Sequence, residues 1–110
     1  MSKIGNLVAT FKSFDYNCQD ELVREYLKSS LELNDILHIE FDFEIFEFKV
    51  IFTDLRERRF KIVDCIIDIF KYSEEYYNSM RNYYLERKQN IEAELHQLAI
   101  IRRVQLELMK

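Results

Sequence analysis

The chain offers few residues that could perform catalysis or bind a metal ion. His38 and His96 are its only histidines, and their local spacing assembles neither a zinc site nor a two-histidine, one-carboxylate iron site. Glu92 and His96 lie four residues apart on one helical face, which would suit two metal ligands. Because solvent-exposed polar pairs share this spacing far more often, we predict no metal ion.

Nucleophilic and phosphate-binding motifs are missing as well. A catalytic serine or cysteine needs a base and an orienting group, usually at a tight turn, and the sequence has no Gly-x-Ser-x-Gly elbow. Phosphate-binding loops need glycines so that backbone amides can approach the anion, and Gly5 is the only glycine. We therefore expect neither an enzyme nor a cofactor, and we exclude nucleotide hydrolases and Rossmann enzymes.

A row of carboxylates is the first feature that is more specific than composition. Glu40, Asp42 and Glu44 alternate with apolar residues, so on a strand they lie on one face at roughly 6.6 Å intervals. Such a row could meet a basic patch on a partner, including a nucleic-acid-binding groove that normally holds phosphates. The alternative is the solvated face that most antiparallel sheets have.

The second specific feature is a basic cluster, Arg56, Arg58, Arg59 and Lys61. Several tyrosines follow it in the sequence, namely Tyr72, Tyr76, Tyr77, Tyr83 and Tyr84. Arginines beside stackable aromatic rings could hold RNA or single-stranded DNA. However, intervening glutamates dilute the positive charge, and tyrosine and arginine are also enriched at protein interfaces. We expect that a protein partner fits these residues better than a nucleic acid does.

Composition indicates one folded domain in a reducing compartment. The 110 residues are 48% hydrophobic, which is far from the composition of disordered chains. Residues 1–53 carry 5 basic and 10 acidic side chains, for a net charge of −5, and residues 54–110 carry 11 and 10, for a net charge of +1. Cys18 and Cys65 form no recognisable motif, so we expect free thiols and a cytoplasmic location. Apolar runs are too short for the ~20 residues that span a bilayer.

The elements that must position these residues are predicted from periodicity. Apolar residues at helical spacing favour a short first helix, although a strand remains possible. Asn17, followed by Asp20 and Glu21, predicts the start of a second helix that ends near Asn34. Apolar residues then alternate at positions 37, 39, 41, 43 and 45 and reverse phase at positions 46, 48, 50 and 52. This reversal requires a bulge or a compact hairpin without glycine near Glu44 to Phe46.

After these strands, a turn is expected across Asp54 to Arg59, and Phe60, Ile62 and Val63 would supply a third strand. We expect the sheet phenylalanines Phe41, Phe43, Phe48 and Phe52 to pack on Val63, Ile66 and Phe70. From Asp64 onward the pattern is helical, and one continuous helix to Met109 would be about 69 Å long, which exceeds the diameter of such a domain. Either it breaks near Ser73, or its far half packs on something outside the monomer.

The far end of this helical region predicts self-association. Its apolar residues would leave more exposed hydrophobic surface than a projecting helix normally does, and a two-fold homodimer would cover it. The residues assigned to that contact are Ile91, Leu95, Leu98, Ile101, Val104 and Leu108.

We therefore expect an α+β protein of one domain, residues 1–110, with N-terminal helices, an antiparallel sheet of two or three strands and a long C-terminal helix. The expected function is to bind another protein with a basic surface, as an inhibitor of a toxin, nuclease or defence enzyme that acts by occlusion, in the manner of immunity or anti-CRISPR proteins. The partner-binding residues would be Glu40, Asp42, Glu44, Arg56, Arg58 and Arg59. A nucleic-acid-binding regulator and a self-assembling structural subunit remain the alternatives.

Overall fold

The computed structural model describes residues 3–87 and 92–109. Two helices precede a three-stranded sheet, and three further helices follow it. In chain order the elements are α1 (Lys3–Ser13), α2 (Tyr16–Leu31), β1 (Ile36–Asp42), β2 (Glu47–Phe52), β3 (Glu57–Lys61), α3 (Ile62–Lys71), α4 (Glu74–Arg87) and α5 (Glu92–Leu108). The α+β class, with N-terminal helices and a small antiparallel sheet, is confirmed.

Side chains close the junction between the two N-terminal helices. The Asp15 carboxylate accepts a hydrogen bond from the Cys18 backbone N–H at 2.9 Å and caps α2. The predicted cap, Asn17, lies inside the helix instead. The buried Gln19 amide donates to the carbonyl oxygens of Phe11, in the last turn of α1, and of Phe14, just beyond it. The helix α2 ends at Leu31, and its cap residue Glu32 adopts the left-handed conformation two residues before the predicted stop at Asn34.

The sheet has the order β1-β2-β3, with both neighbouring pairs antiparallel. The predicted phase reversal occurs in a tight turn over residues 43–46, in which Phe46 adopts a φ of 54°. This confirms a compact hairpin without glycine. The second turn is shorter than predicted because β3 already begins at Glu57. The third strand also ends earlier, since Ile62 and Val63 form the first turn of α3.

A β-bulge displaces Leu37 from the predicted apolar face. Ile36 pairs with Phe52, whereas His38 pairs with Ile51, so Leu37 is the extra residue on β1. Ile36 therefore points to the core side and Leu37 is exposed. Beyond the bulge the predicted alternation holds, because Ile39 pairs with Val50 and Phe41 with Phe48 on the buried side.

The predicted break near Ser73 is confirmed and is stabilised by buried polar groups. The Ser73 hydroxyl donates to the Phe70 carbonyl and accepts a hydrogen bond from the Gln105 side-chain amide at 2.7 Å. This contact joins the start of α4 to the C-terminal part of α5, so the two helices pack antiparallel. Gln97 also bonds to the backbone N–H and carboxylate of Asp15 at 2.9 and 3.0 Å. The C-terminal region is therefore three helices packed on the domain, not one helix projecting from it.

One hydrophobic core joins the helices to one face of the sheet. Phe48 and Phe52 are buried in it, whereas Phe41 and Phe43 are only partly buried and stack on each other beside Phe11. Ile66 and Phe70 lie in this core as predicted. Val63 does not, because it lies on the outer side of the first turn of α3.

The difference in burial between two phenylalanines gives a stability prediction. Phe48→Ala should lower the free energy of unfolding by about 3–5 kcal/mol, because it removes a fully buried ring. Phe43→Ala should cost less than half as much, since that ring is partly exposed. Urea denaturation followed by circular dichroism measures both changes. Equal losses for the two variants would contradict the packing described above.

Candidate protein-binding surface

The sheet has a second face, which the core does not use and which we call the outer face. Its side chains follow from the register, in which Glu40 pairs with Lys49 and Lys49 with Arg59. Successive residues of a strand alternate between faces. The outer face therefore carries His38, Glu40 and Asp42 from β1, Glu47, Lys49 and Ile51 from β2, and Glu57, Arg59 and Lys61 from β3.

Opposite charges meet in the middle of the outer face. The Lys49 ammonium lies 3.2 Å from the Glu40 carboxylate and 3.7 Å from that of Glu57. Exposed ion pairs of this kind stabilise a fold by only about 0–1 kcal/mol. They matter more for recognition. Because Lys49 partly neutralises Glu40, this carboxylate presents less negative charge to a partner than the other carboxylates of the same hairpin do.

Negative charge is concentrated at the end of the β1–β2 hairpin. Asp42 lies directly opposite Glu47, an arrangement of like charges that disfavours strand pairing. Glu47 also lies opposite Lys61 of β3, which offsets part of this repulsion. Glu44 follows in the turn, where its backbone N–H donates to the Asp42 carboxylate at 3.0 Å. We call Asp42, Glu44 and Glu47 the hairpin acids. The first two belong to the predicted partner-binding residues and Glu47 does not, although its position two residues before Lys49 places it on the same face.

The predicted arginine cluster does not form one patch. Arg59 lies on the outer face with Glu40 and Lys49, whereas Arg58 lies on the opposite face, with its guanidinium carbon 4.8 Å from the centre of the Phe60 ring. Arg56 lies in the turn before β3 and pairs with Asp54 at 2.6 Å. Hydrogen bonds from Arg56 lower the pKa of the Asp54 carboxyl. Of the three arginines, only Arg59 joins the carboxylates of β1.

The two edges of the sheet are protected from pairing with another strand in different ways. Along β1, the Tyr16 hydroxyl donates to the Ile39 carbonyl at 2.6 Å, and Arg24 donates to the Ile36 carbonyl at 3.0 Å. Side chains of α2 thus cover this edge. The β3 edge instead carries Glu57, Arg59 and Lys61, and charged residues on an edge oppose pairing with another strand. Recognition through side chains of the outer face therefore suits this sheet better than addition of a strand.

The residues predicted to form a dimer contact lie mostly inside the monomer. Leu98, Ile101 and Val104 belong to the hydrophobic core, and Leu108 packs against it. Leu95 is 43% exposed, and Ile91 lies outside the described residues. The difference arises because α5 packs against both α3 and α4, with Gln105 of α5 bonded to Ser73 at the start of α4. The apolar surface that motivated the predicted dimer is thus largely covered within one chain.

Both cysteines are free and buried beside tyrosines. Burial raises the pKa of the Cys18 thiol to about 11, although its hydrogen bond with Tyr76 acts in the opposite direction. Burial likewise raises the pKa of Cys65, which lies beside Tyr26. Protonated, buried thiols are poor nucleophiles. These cysteines therefore pack in the core and offer no reactive group to a substrate.

Among the described residues, no group of three or more histidine, cysteine or acidic side chains could hold a metal ion. In the Glu92–His96 pair, the side chain of Glu92 lies outside the described part of the chain. In the same part of the chain, no helix is long and apolar enough to cross a membrane.

Comparisons with protein-family models, curated proteins and solved structures found no match to this chain.

Substitutions at two leucines of α5 distinguish a role in self-association from a role in folding. Leu98→Glu should unfold the monomer, because it places a carboxylate in the core. Leu95→Glu should leave the melting temperature within a few degrees of the unmodified value and should disrupt only an intermolecular contact. Analytical ultracentrifugation and thermal melting measure both effects. A folded, dissociated Leu98→Glu variant would show that α5 faces a second copy.

The buried thiols predict a loss of stability at alkaline pH. The Cys18 thiol has an ordinary pKa of 9.0, and in the folded protein it is raised to about 11. The unfolded state therefore releases its proton first, and the free energy of unfolding should decrease between about pH 9 and pH 11. Below that window the contribution is fully retained. Urea titrations at pH 7, 9 and 10.5 should show a smaller decrease for Cys18→Ala, and an identical decrease would contradict the assignment.

Proposed function

We propose that this chain is a protein-binding module that uses its outer sheet face, and that it inhibits a toxin, nuclease or defence enzyme by occluding a basic surface. The observation that carries the proposal is the concentration of carboxylates at the end of the β1–β2 hairpin, where Asp42 and Glu44 are exposed and Glu47 is partly buried. Asp42 and Glu47 face each other there at a cost to strand pairing. Binding a basic partner would relieve this repulsion, and the unfavourable pairing would then contribute to the affinity for that partner.

The sheet suits this role because the hydrophobic core packs against its other face and fixes the position of its backbone. Phe48 and Val50 are buried in the core, and they alternate along β2 with Glu47 and Lys49. The charged side chains therefore stand at fixed spacings, and little backbone entropy is lost when a partner binds. Negative charge at the hairpin would also accelerate the encounter with a basic protein at low salt.

The distribution of basic residues favours a protein over a nucleic acid as the partner. Arg58 and Arg59 point to opposite faces of the sheet, and Arg56 is engaged with Asp54. To contact Arg59, the phosphates of a nucleic acid would have to pass the neighbouring carboxylates, which repel them. The free, buried thiols of Cys18 and Cys65 suit a protein of the cytoplasm.

The test compares two sets of charge-neutralising substitutions. The first set is Asp42→Asn, Glu44→Gln and Glu47→Gln, in which asparagine keeps an oxygen to accept the hydrogen bond from the Glu44 backbone. The control set is Glu21→Gln, Glu86→Gln and Glu107→Gln, which changes the net charge equally at exposed helical positions. The immobilised protein captures its partner from a native lysate, and the purified partner is then used for kinetics.

The first set should slow association by about tenfold at low salt and remove most of its dependence on ionic strength. The control set should change the rate by less than about twofold, since its charges lie on other faces. Equal effects of the two sets would contradict the proposal. A gel-shift assay covers the alternative, because specific retention of RNA or DNA that is lost with Arg59→Gln would assign the face to nucleic acid.

A further inference from the structure

An apolar groove lies beside the tip of the same hairpin. It has a volume of about 390 Å³ and lies between α1, the turn before β2 and the first turn of α3. Its apolar lining consists of Ile4, Val8, Ala9, Phe46 and Val63. Lys12 is the charged member of the lining. This volume lies near the lower end of the range for sites that bind small ligands or anchoring side chains.

The lining leaves large apolar side chains in contact with solvent. Phe46 and Val63 are each 43% exposed and Ile4 is 38% exposed, and Ile45 stands next to Phe46 at 55%. These residues come from three separate elements, yet they meet at one place. Contiguous exposed apolar surface of this kind marks sites of interaction.

Phe46 is difficult to explain by the stability of the fold alone. Its φ of 54° is in the left-handed region, where a bulky residue is strained and glycine is favoured. The backbone carbonyl of Phe46 accepts a hydrogen bond from Ile62, a role that glycine would fill equally well. Leu55 adopts the same left-handed region at the next turn, so strain alone marks no site. What distinguishes Phe46 is that its side chain lines the groove.

Charge indicates what kind of chain would fill the groove. Glu44 lies two residues before Phe46 in the same turn. Asp42 and Glu47 lie at the same end of the hairpin but on the outer face of the sheet. A second copy docking at this end would bring two sets of hairpin acids together. With a net charge of −4 on each chain, this contact is disfavoured. A basic partner avoids that repulsion.

We propose that the groove receives an aliphatic or aromatic anchor side chain from a segment of the partner whose neighbouring residues are basic. The anchor contacts Phe46 and Val63, and the basic residues reach around the hairpin tip to Asp42, Glu44 and Glu47. This inference rests on the proposed function and places the centre of the proposed interface at the groove. A buried apolar anchor surrounded by charged residues is the common arrangement of energetically important interface contacts.

Two turn positions provide a matched pair of variants. Phe46→Gly removes the ring and relieves the positive φ. Leu55→Gly likewise removes a large apolar side chain and relieves a positive φ at the β2–β3 turn, where Leu55 has a φ of 70° and is also exposed. Val63→Lys alters the opposite wall of the groove at an exposed helical position, so the test does not depend on one variant. Circular dichroism and thermal melting confirm that each variant is folded.

The probe is a fluorescein-labelled amphipathic helical peptide made of leucine and lysine, and binding is measured by fluorescence anisotropy. A lysine and serine peptide of equal charge lacks the anchors, and a leucine and glutamate peptide reverses the charge. The leucine and lysine peptide should bind saturably, and Phe46→Gly and Val63→Lys should each weaken binding by about tenfold or more. Leu55→Gly should leave its affinity unchanged.

Several outcomes would overturn this inference. They are equal binding of the lysine and serine peptide, equal losses for Leu55→Gly and Phe46→Gly, tighter binding of the leucine and glutamate peptide, and no saturable binding to any peptide. Concentration-dependent dimerisation that is lost in Phe46→Gly would assign the groove to a second copy instead. Lys12→Met should not weaken binding of the leucine and lysine peptide, because it removes a positive charge from the groove wall, and a loss would contradict this inference.

The hairpin-acid variant separates this inference from the function on which it rests. If Phe46→Gly abolishes peptide binding while neutralising Asp42, Glu44 and Glu47 has no effect, the groove stands and the electrostatic proposal fails. If only the neutralised variant loses binding, the outer face stands and the groove assignment fails. Nitrogen–proton correlation spectra of the labelled protein should show shifts at both Ile4–Ala9 and the hairpin.

Discussion

The arrangement of the whole C-terminal half depends on one buried hydrogen-bonded group, Ser73 with Gln105 and the Phe70 carbonyl. The sequence has no proline and one glycine, so its helices cannot be ended by the usual residues. Side-chain hydrogen bonds act at two of these ends, with Gln19 at the end of α1 and Ser73 between α3 and α4, whereas Glu32 ends α2 through a left-handed backbone cap. Because a buried polar group without a partner is costly, the Ser73–Gln105 bond also favours the packing of α5 against the start of α4.

The packing of α5 determines which surfaces remain available to a partner. Leu98, Ile101 and Val104 enter the core, so the helical side of the molecule loses most of the apolar surface that a continuous helix would expose. The sheet, in contrast, keeps one face uncovered. A surface for recognition is therefore found on the strands and at the hairpin tip, where charged and apolar residues lie side by side.

Charge and backbone strain coincide at that hairpin. Asp42 opposes Glu47, and Phe46 adopts a left-handed conformation with its ring partly in solvent. Neither feature stabilises the isolated chain, whereas the pairs formed by Lys49 with Glu40 and Glu57 are ordinary surface contacts. Sites that are unfavourable in isolation and close together are more informative about function than the composition of the sheet as a whole.

Local periodicity by itself determined the strand region of β1 and β2, the reversal of phase between them and the break near Ser73. Each depends on the alternation or spacing of neighbouring residues along one element. Only the tertiary structure decided that Leu37 is displaced by a bulge, that Arg58 and Arg59 face opposite ways beside different neighbours, and that Leu98 is buried within the monomer. The physical reason is that a local pattern sets the direction of a side chain relative to its own backbone. Whether that side chain is covered, paired or left in water depends on residues far away in the chain, such as Gln105 for Ser73 and Lys49 for Glu57.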